Sequence, residues 1–351
     1  MSADKLGQGS YGTVIRKNGV AIKKFRDLSY LIQEYTALKY LENCKYIVHA
    51  RKSDYKKMEL HMKLYDMSLR TWFKKKYNRN SGEKVDKIIH DILRGLIEIH
   101  DRGLAHGDLK LGNILIREEP LKAVLGDCGF VSIAKYAKVE RTAEAYRDCS
   151  ISHSWKHDIF SLGICLVELW SKRRIGYYTT YEELYQNVNH LIRNTEKRNL
   201  IMTLISEDKE RRPTARDILY KLYGKVPRIY ERINPLIIVG KKFESGYKHE
   251  IEKLSTFVKE QAEVFRLNRS KKGFGALLMY FNNNEHSEIR KYKLYGCAYL
   301  MIISSVFSRK NKFSMDDALT LVENDYSTSD FYEVLESLLN DTFFVKHLFI
   351  L

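Results

Sequence analysis

The stretch His106-Gly107-Asp108-Leu109-Lys110-Leu111-Gly112-Asn113 decides which fold this sequence predicts. It follows Val85–Asp101, whose apolar residues recur at helical spacing, and precedes Ile114-Leu115-Ile116, which predicts a short strand. Fourteen residues after Asn113, a second acid opens Asp127-Cys128-Gly129. The polar residues therefore lie on loops beside buried elements, which is a frequent placement of functional residues.

A glycine-rich loop lies near the N-terminus, in Gly7-Gln8-Gly9-Ser10-Tyr11-Gly12-Thr13-Val14. Glycines allow backbone N–H groups to approach phosphates closely, because no Cβ stands in the way. The spacing also occurs in dinucleotide-binding units, but these require a helix after the glycines. Here the alternating residues on both sides of Asn18-Gly19 predict two strands and a tight turn. Taken alone, the loop fits a glycine-rich hairpin without a ligand equally well.

The second predicted strand carries Val20-Ala21-Ile22-Lys23, with the lysine eleven residues after the third glycine. At this distance the ammonium group can reach phosphates beneath the loop. Apolar residues recur at helical spacing from Ser29 to Leu41, and Glu34 on that helix is the candidate carboxylate to hold Lys23. Considered singly, both side chains fit solvated surface residues as well, so their role depends on the other motifs.

In order and spacing, these motifs resemble those of the eukaryotic-type protein kinases. The family's HRDLKxxN appears as HGDLKLGN, its DFG as DCG, and its VAIK is unchanged. Asp158–Gly163 and Arg211–Ala215 resemble its DxxSLG and RRPTA segments. Over residues 1–223, the resemblance implies an α+β, bilobal protein kinase fold with a β-rich N-lobe and a helical C-lobe. It also implies Mg-ATP-dependent phosphorylation of serine or threonine in protein substrates.

The resemblance assigns a role to each site residue. Asp108 would accept the proton of the substrate hydroxyl or orient it, and Lys110 would neutralise the γ-phosphate, as in serine/threonine kinases. Lys23 would contact the α- and β-phosphates, held by Glu34. Asn113 and Asp127 would hold Mg²⁺, which suits few carboxylates together with phosphate oxygens. The implied ATP-binding residues are Leu6, Gly7, Gly9, Gly12, Val14, Ala21, Lys23, Met62 and Leu115.

Three positions depart from the family pattern. Gly107 replaces an arginine that clamps a phosphorylated activation loop, which predicts activity independent of loop phosphorylation. The glutamate of YRAPE has become Ser150, so we expect Asp148 to pair with Arg212 instead. Cys128 replaces a phenylalanine. These changes leave open an alternative function, a catalytically impaired pseudokinase scaffold that binds ATP and partner proteins, although the retained polar residues favour the active enzyme.

Composition narrows the class of protein further. The chain has 351 residues, of which 44% are hydrophobic and 30% charged, as in folded globular proteins. The net charge of +16 favours acidic partners, but no nucleic-acid-binding motif is present, and Lys74-Lys75-Lys76 and Arg211-Arg212 are interpreted as solvated faces. Five scattered cysteines argue against a zinc site or disulfides. The longest apolar run, Tyr295–Phe307, is too short to span a bilayer. We therefore expect an intracellular protein, cytoplasmic or nuclear, without membrane association.

Periodicity predicts the remaining elements. Further strands are expected at Tyr46–Ala50 and Met58–Leu64. Helices are expected at Val85–Asp101, Ile159–Trp170, Tyr181–Arg193, Asp217–Tyr223, Ile251–Phe265, Gly273–Asn282, Arg290–Phe307, Ser314–Val322 and Ser329–Asn340. Residues 224–248, richer in proline and glycine, are expected to form a linker, and residues 249–351 a separate all-α domain.

This C-terminal part resembles a cyclin box in the order and spacing of Glu263–Leu267, Leu294–Ile302 and Tyr326-Ser327. The small residues of the second segment suit a buried central helix. The cyclin lysine and its partner glutamate are replaced near Ser305 and Leu335, so an unrelated helical bundle is the alternative. A cyclin-like domain is expected to press on the helix that carries Glu34 and to activate the kinase in cis. A kinase with such a domain resembles those of large DNA viruses, which act in the host cell.

Overall fold

The computed structural model describes most of the chain and groups it into two compact units. The described residues are 4–9, 11–77, 81–133, 146, 148, 155–175, 178–224, 248–265, 267, 274, 276–278, 280–281, 291–307, 313–322 and 326–350. The first unit comprises the described residues of Met1–Glu42, His49–Lys63 and Ile233–Leu351, and the second those of Asn43–Val48 and Leu64–Arg232. The N-terminal strands thus belong to the same unit as the C-terminal helices. The predicted domains are instead consecutive stretches of the chain, and their boundaries stay a prediction.

The first unit contains a five-stranded antiparallel sheet of order β1-β2-β3-β5-β4. Its strands are β1 (Asp4–Gly9), β2 (Gly12–Lys17), β3 (Val20–Phe25), β4 (Ala50–Asp54) and β5 (Glu59–Lys63). The predicted turn is present, with φ of 50° at Asn18 and 70° at Gly19, as two-residue hairpin loops favour. The hairpin therefore places the glycine-rich segment and Lys23 on neighbouring strands.

Six helices of the first unit are described, numbered along the whole chain. They are α1 (Leu28–Tyr40), α8 (Lys248–Val264), α9 (Tyr292–Phe307), α10 (Met315–Leu321), α11 (Thr328–Asn340) and α12 (Thr342–Ile350). Helix α1 begins at an Asp27 cap, whose side chain accepts a hydrogen bond from the Ser29 backbone N–H. Helix α9 is buried from Leu294 to Val306, as predicted. A Cβ at Gly296 would lie 2.7 Å from the Phe257 ring, so this glycine permits the close approach of α8.

Helix α1 is covered on more than one face. Eight of its residues, including Glu34, are buried, because α9, α11 and α12 pack on it in addition to the sheet. The Tyr35 hydroxyl donates to Asn340 Oδ1 at 2.7 Å, and the rings of Tyr40 and Phe349 lie 4.7 Å apart. The C-terminal helices therefore fix the helix that carries Glu34.

The second unit is mainly helical. Its helices are α2 (Leu69–Lys76), α3 (Gly82–His100), α4 (Trp155–Ser171), α5 (Tyr181–Leu191), α6 (Thr195–Leu204) and α7 (Ala215–Tyr223). Its strands are β6 (Met67–Ser68), β7 (Leu104–Ala105), β8 (Ile114–Arg117), β9 (Lys122–Leu125) and β10 (Ser132–Ile133). They form the small sheets β6-β8-β9 and β10-β7. The loop carrying Asp108 lies between β7 and β8, and Asp127 follows β9. The strands of the two small sheets therefore position both aspartates.

Most predicted elements are confirmed, but the strand at Tyr46–Ala50 is wrong. Strand β4 begins at Ala50, whereas Ile47 forms an isolated bridge with Leu125 and the Val48 N–H donates to Leu125 O at 2.8 Å. The apolar residues at 47 and 48 therefore pack in the second unit and not in the five-stranded sheet. Their apolar character explains why the sequence predicted a strand here.

Three helices, α2, α6 and α12, were not predicted. Helix α2 has only eight residues, fewer than the window over which helical periodicity is recognised, and α12 is apolar almost throughout. The predicted helix at Gly273–Asn282 lies partly outside the described residues, as does the linker between Gly224 and Lys248. In the part of the chain that is described, no helix combines the length and apolarity needed to cross a membrane.

Candidate functional site

Lys23 and Glu34 form a buried ion pair in the first unit. Lys23 Nζ lies 2.6 Å from Glu34 Oε2, and the residues are only 8% and 1% exposed. Lys23 also lies over the Phe25 ring, 5.1 Å from its centroid. A buried pair of this kind is costly to break from one side, because the remaining charge loses its partner. The geometry therefore fixes the ammonium group on β3.

The predicted ATP-binding residues of the first unit are brought together on the same sheet. Val14 is the Cα partner of Lys23, and Ala21 is the partner of Met62. Leu6 lies at the irregularity of β1 and is 46% exposed. The remaining predicted adenine contact, Leu115, lies on β8 of the second unit.

The three glycines of the loop differ in what the fold requires of them. A Cβ at Gly12 would lie 2.0 Å from Lys24 O, so sheet pairing alone explains this glycine. At Gly7 and Gly9, an added Cβ would meet nothing within 4 Å. Packing therefore explains Gly12 but not Gly7 or Gly9.

Asp108 is held by two neighbours on its own loop. Lys110 Nζ donates to Asp108 Oδ2 at 2.6 Å, and Asn113 Nδ2 donates to the same oxygen and to Asp108 O, both at 2.8 Å. The other carboxylate oxygen, Oδ1, is buried and has no hydrogen-bond partner. Burial raises the pKa of Asp108; Lys110 lowers it, and the negative charge of Asp127 raises it. One oxygen is thus fixed while the other is left to accept a proton.

Asp127 lies in the left-handed region, with φ of 55°. Few residues other than glycine adopt this conformation, and it is concentrated at functional sites. The neighbouring Gly126 N–H donates to Asn113 O at 2.7 Å, and His106 Nε2 donates to Gly126 O at 3.0 Å. These bonds connect the loop of Asp127 to the loop of Asp108.

Oxygen donors of this kind fit a magnesium ion. The Asn113 side-chain nitrogen is bonded to Asp108, which leaves the amide oxygen to bind a cation, and the nearby charges of Asp108 and Asp127 favour a cation between phosphate and protein. Among the described residues, no three His, Cys, Asp or Glu side chains could hold a metal by themselves.

Asp158, the first residue of the DxxSLG-like segment, holds the backbone of the Asp108 loop. Its carboxylate accepts from the backbone N–H groups of His106 at 2.7 Å and Gly107 at 2.9 Å, and from His100 Nε2 at 2.9 Å. It lies inside the first turn of α4 and directs its bonds to the loop. Gly107 has φ of 81°, and an added Cβ would lie 2.9 Å from Phe130 O. The residue that departs from the family pattern is therefore the one that best tolerates this backbone.

Asp148 pairs with Arg212, which confirms the expectation that it takes the place of the family's glutamate. Arg212 Nη1 lies 2.5 Å from Asp148 Oδ2, both side chains are buried, and Tyr181 donates its hydroxyl proton to Asp148. The interpretation of Arg211-Arg212 as a solvated face was wrong for Arg212, because this side chain is buried. Ser150 lies outside the described residues.

A second buried cluster was not predicted. Arg70 Nη2 donates to the Tyr146 hydroxyl at 2.6 Å and to Glu168 Oε2 at 3.3 Å, and Tyr146 also donates to Glu168. The three residues are far apart in sequence, so no local pattern indicates the contact. Tyr146 and Asp148 together anchor the chain just before α4 at two points. Cys128 is fully buried, consistent with an apolar role.

Comparison with known proteins agrees with these motifs. A model of the protein kinase domain matches residues 2–228. The chain is 30% identical over 249 residues to the membrane-associated tyrosine- and threonine-specific cdc2-inhibitory kinase of Drosophila melanogaster, covering 61% of the chain and 45% of that protein. It is 31% identical to a Wee1-like protein kinase of Arabidopsis thaliana, covering 46% of the chain and 33% of that protein. It is 30% identical to the serine/threonine-protein kinase cst-1 of Caenorhabditis elegans, covering 47% of the chain and 37% of that protein. The chain thus spans less than half the length of these relatives.

We predict that Asp148→Ala destabilises the second unit by about 3–5 kcal/mol, because it leaves the buried Arg212 guanidinium unpaired. Urea unfolding measures the effect. The double variant Asp148→Ala/Arg212→Met removes the orphaned charge and should be more stable than the single variant. A single variant that unfolds at the wild-type urea concentration would contradict this pairing.

We also predict an acid-dependent contribution from Asp158. Burial alone raises its pKa, but the hydrogen bond and charge of His100, the charge of His106 and the Gly107 N–H outweigh burial and lower the pKa from 3.8 to about 2. The carboxylate therefore contributes stability above about pH 4, worth about 2 kcal/mol, which is lost as the pH falls towards 2. The urea midpoints of wild type and Asp158→Asn should converge below about pH 4. A difference between the two urea midpoints that stays constant with pH would contradict this prediction.

Proposed function

Because the chain belongs to the protein kinase family, we propose that it transfers the γ-phosphoryl group of Mg-ATP to serine or threonine residues of protein substrates. The observation that carries the proposal is the Asp108 carboxylate, with Oδ2 held by Lys110 and Asn113 and Oδ1 without a partner. A general base must be fixed in orientation and still have a free acceptor atom. Asp108 meets both requirements.

In the proposed reaction, the substrate hydroxyl oxygen attacks the γ-phosphorus and the bond to the β-phosphate oxygen breaks, releasing ADP. The hydroxyl proton passes to Asp108 Oδ1. Burial raises the pKa of this carboxyl, which favours accepting a proton. Lys110 donates to Asp108 Oδ2 and can exchange this bond for one to the γ-phosphate. Phosphoryl transfer depends mainly on such positioning and on positive charge.

The remaining site residues bind and orient the nucleotide. Lys23, fixed by Glu34, contacts the α- and β-phosphates, and the backbone at Gly7 and Gly9 covers the phosphates. Asn113 and Asp127 would hold Mg²⁺, which would neutralise phosphate charge. Leu6, Val14, Ala21, Met62 and Leu115 form the apolar contacts to adenine.

Serine/threonine specificity rests on Lys110, two residues after Asp108, which is the form of the loop found in serine/threonine kinases. The relatives include one named as specific for tyrosine and threonine and one named as a serine/threonine kinase. Peptides that contain only serine, threonine or tyrosine distinguish these specificities directly.

We predict that Asp108→Asn and Lys23→Met each reduce phosphorylation of a generic protein substrate on the order of 100-fold or more, because each removes a group that acts in phosphoryl transfer. Lys24→Met is the matched control. Its lysine neighbours Lys23 but is half exposed and pairs with Glu59 at 2.9 Å, so near wild-type activity is expected. The measurement is transfer of labelled phosphate in Mg-ATP.

Wild-type activity no higher than that of Asp108→Asn would instead favour the pseudokinase scaffold. Three departures motivate that alternative, but two of them have structural compensation. Asp148 replaces the missing glutamate as the partner of Arg212, and Gly107 fits the backbone at its position. These observations support the active enzyme.

We further propose that the C-terminal helices activate the kinase in cis, as a cyclin-like module. The support is the packing of α9, α11 and α12 on α1 within the first unit. In addition to the hydrogen bond between Tyr35 and Asn340, a second hydrogen bond reaches the C-terminal helices: Lys56 Nζ donates to Ser329 Oγ at 3.0 Å. A helix held from two sides keeps Glu34 at hydrogen-bond distance from Lys23. A viral origin and the cellular location stay predictions.

We predict that Asn340→Ala and Tyr35→Phe each lower kcat about fivefold, because each removes a hydrogen bond that holds α1, worth about 1 kcal/mol. The double variant should lose no more than Tyr35→Phe alone, since that substitution already removes the bond to Asn340 together with a hydrogen bond to Ser53. Val264→Ala, at a residue 70% exposed on α8, is the control. Unchanged kcat in the double variant would rule out this route of activation.

A further inference from the structure

The second unit carries a basic surface that the proposed catalytic reaction does not use. We call it the basic face, formed by Arg70, Lys74, Lys75 and Lys76 of α2 and by Lys172, Arg173 and Arg174, which follow α4. Six of these side chains are exposed, and Arg70 is half buried. The lysine run alone gave no reason to expect more than a solvated face.

Aromatic contacts bring the two groups of cations together. The Tyr77 hydroxyl donates to Leu169 O at 3.3 Å, and Lys172 Nζ lies over the Tyr77 ring, 5.1 Å from its centroid. Phe73 stacks on Tyr77 with ring centroids 4.9 Å apart. The end of α2 and the end of α4 are therefore adjacent, and their charges form one surface.

Few carboxylates neutralise this surface. Glu168 is buried and bonded to Arg70 and Tyr146. Glu118 lies 3.8 Å from Lys76 and donates its backbone N–H to Asp66. The other five cations, Lys74, Lys75, Lys172, Arg173 and Arg174, have no carboxylate within 4.0 Å among the described residues. Clustered like charges repel one another, so an acidic ligand would be bound favourably here.

The position of the basic face connects it to the reaction. Helix α2 packs against the turn Leu111–Asn113 and against β8. Asn113 in this turn is bonded to Asp108. A peptide bound to the basic face therefore contacts the helix that packs on the loop carrying the proposed base.

We propose that the basic face binds acidic residues of the protein substrate, so that the enzyme prefers serine or threonine flanked by aspartate or glutamate. The inference rests on the proposed function. A peptide fits better than a nucleic acid, because Phe73 and Lys172 already lie against the Tyr77 ring, the aromatic group at the centre of the face. Base stacking requires an exposed ring.

The test compares two peptides of equal length with a single serine, flanked by glutamate in one and by glutamine in the other. In the full chain we expect kcat/KM to be at least about tenfold higher for the acidic peptide, through KM, and this preference to fall with added salt. Lys74→Ala/Lys75→Ala/Lys76→Ala should remove most of the preference and leave kcat for the neutral peptide unchanged. The control Lys221→Ala/Lys253→Ala/Lys259→Ala removes three exposed charges elsewhere and should retain the preference.

Equal kcat/KM for the two peptides in the wild type would overturn the inference, as would a preference that both triple variants lose to the same extent. If no peptide is phosphorylated, the proposed function fails, but fluorescence anisotropy of the labelled acidic peptide still tests the basic face. Binding that the triple substitution on α2 does not weaken overturns it. An oligonucleotide of equal charge that binds as tightly at the same lysines would also overturn it, in favour of a nucleic-acid partner.

Discussion

Repulsion between two carboxylates is the constraint on which the proposed site depends. Asp108 is buried, and the charge of Asp127 is near enough to raise its pKa together with burial. Two such anions are tolerated only where cations or hydrogen-bond donors compensate them. Lys110 and Asn113 supply part of this compensation at Asp108 Oδ2. A divalent cation near Asp127 would add to this compensation, which agrees with the Mg-ATP chemistry proposed above.

The surrounding structure keeps these groups from relaxing apart. Asp158 holds the backbone of the Asp108 loop, and His106 connects that loop to Gly126. In the first unit, the C-terminal helices similarly constrain α1 and thereby Glu34. Both sets of contacts constrain elements that carry proposed site residues. This is consistent with a kinase whose activity does not require phosphorylation of its own loop, a property that stays a prediction.

The sequence was sufficient to predict where the residues of short motifs lie, whereas their roles stay a prediction. Lys23, Asp108, Asn113 and Asp127 could be predicted because spacing along the chain determines their placement on strands and loops. Asp148 could be predicted because a buried arginine needs an anion. The bond between Tyr35 and Asn340 could not, since 305 residues separate them. Helix α2 has only eight residues, too few to be recognised from periodicity, and the cations after α4 lie about 100 residues later in the chain, so the basic face was also not recognisable.

The affinity of the full chain for a non-hydrolysable ATP analogue, measured by isothermal titration calorimetry with and without Mg²⁺, tests the central claim most directly. If Asp127 and Asn113 hold a metal beside Asp108, Mg²⁺ should strengthen binding by about tenfold or more, since the ion relieves the repulsion between carboxylates and phosphates. Asp127→Asn should lose this gain while keeping the metal-free affinity. Equal affinity with and without Mg²⁺ in the wild type would contradict the claim.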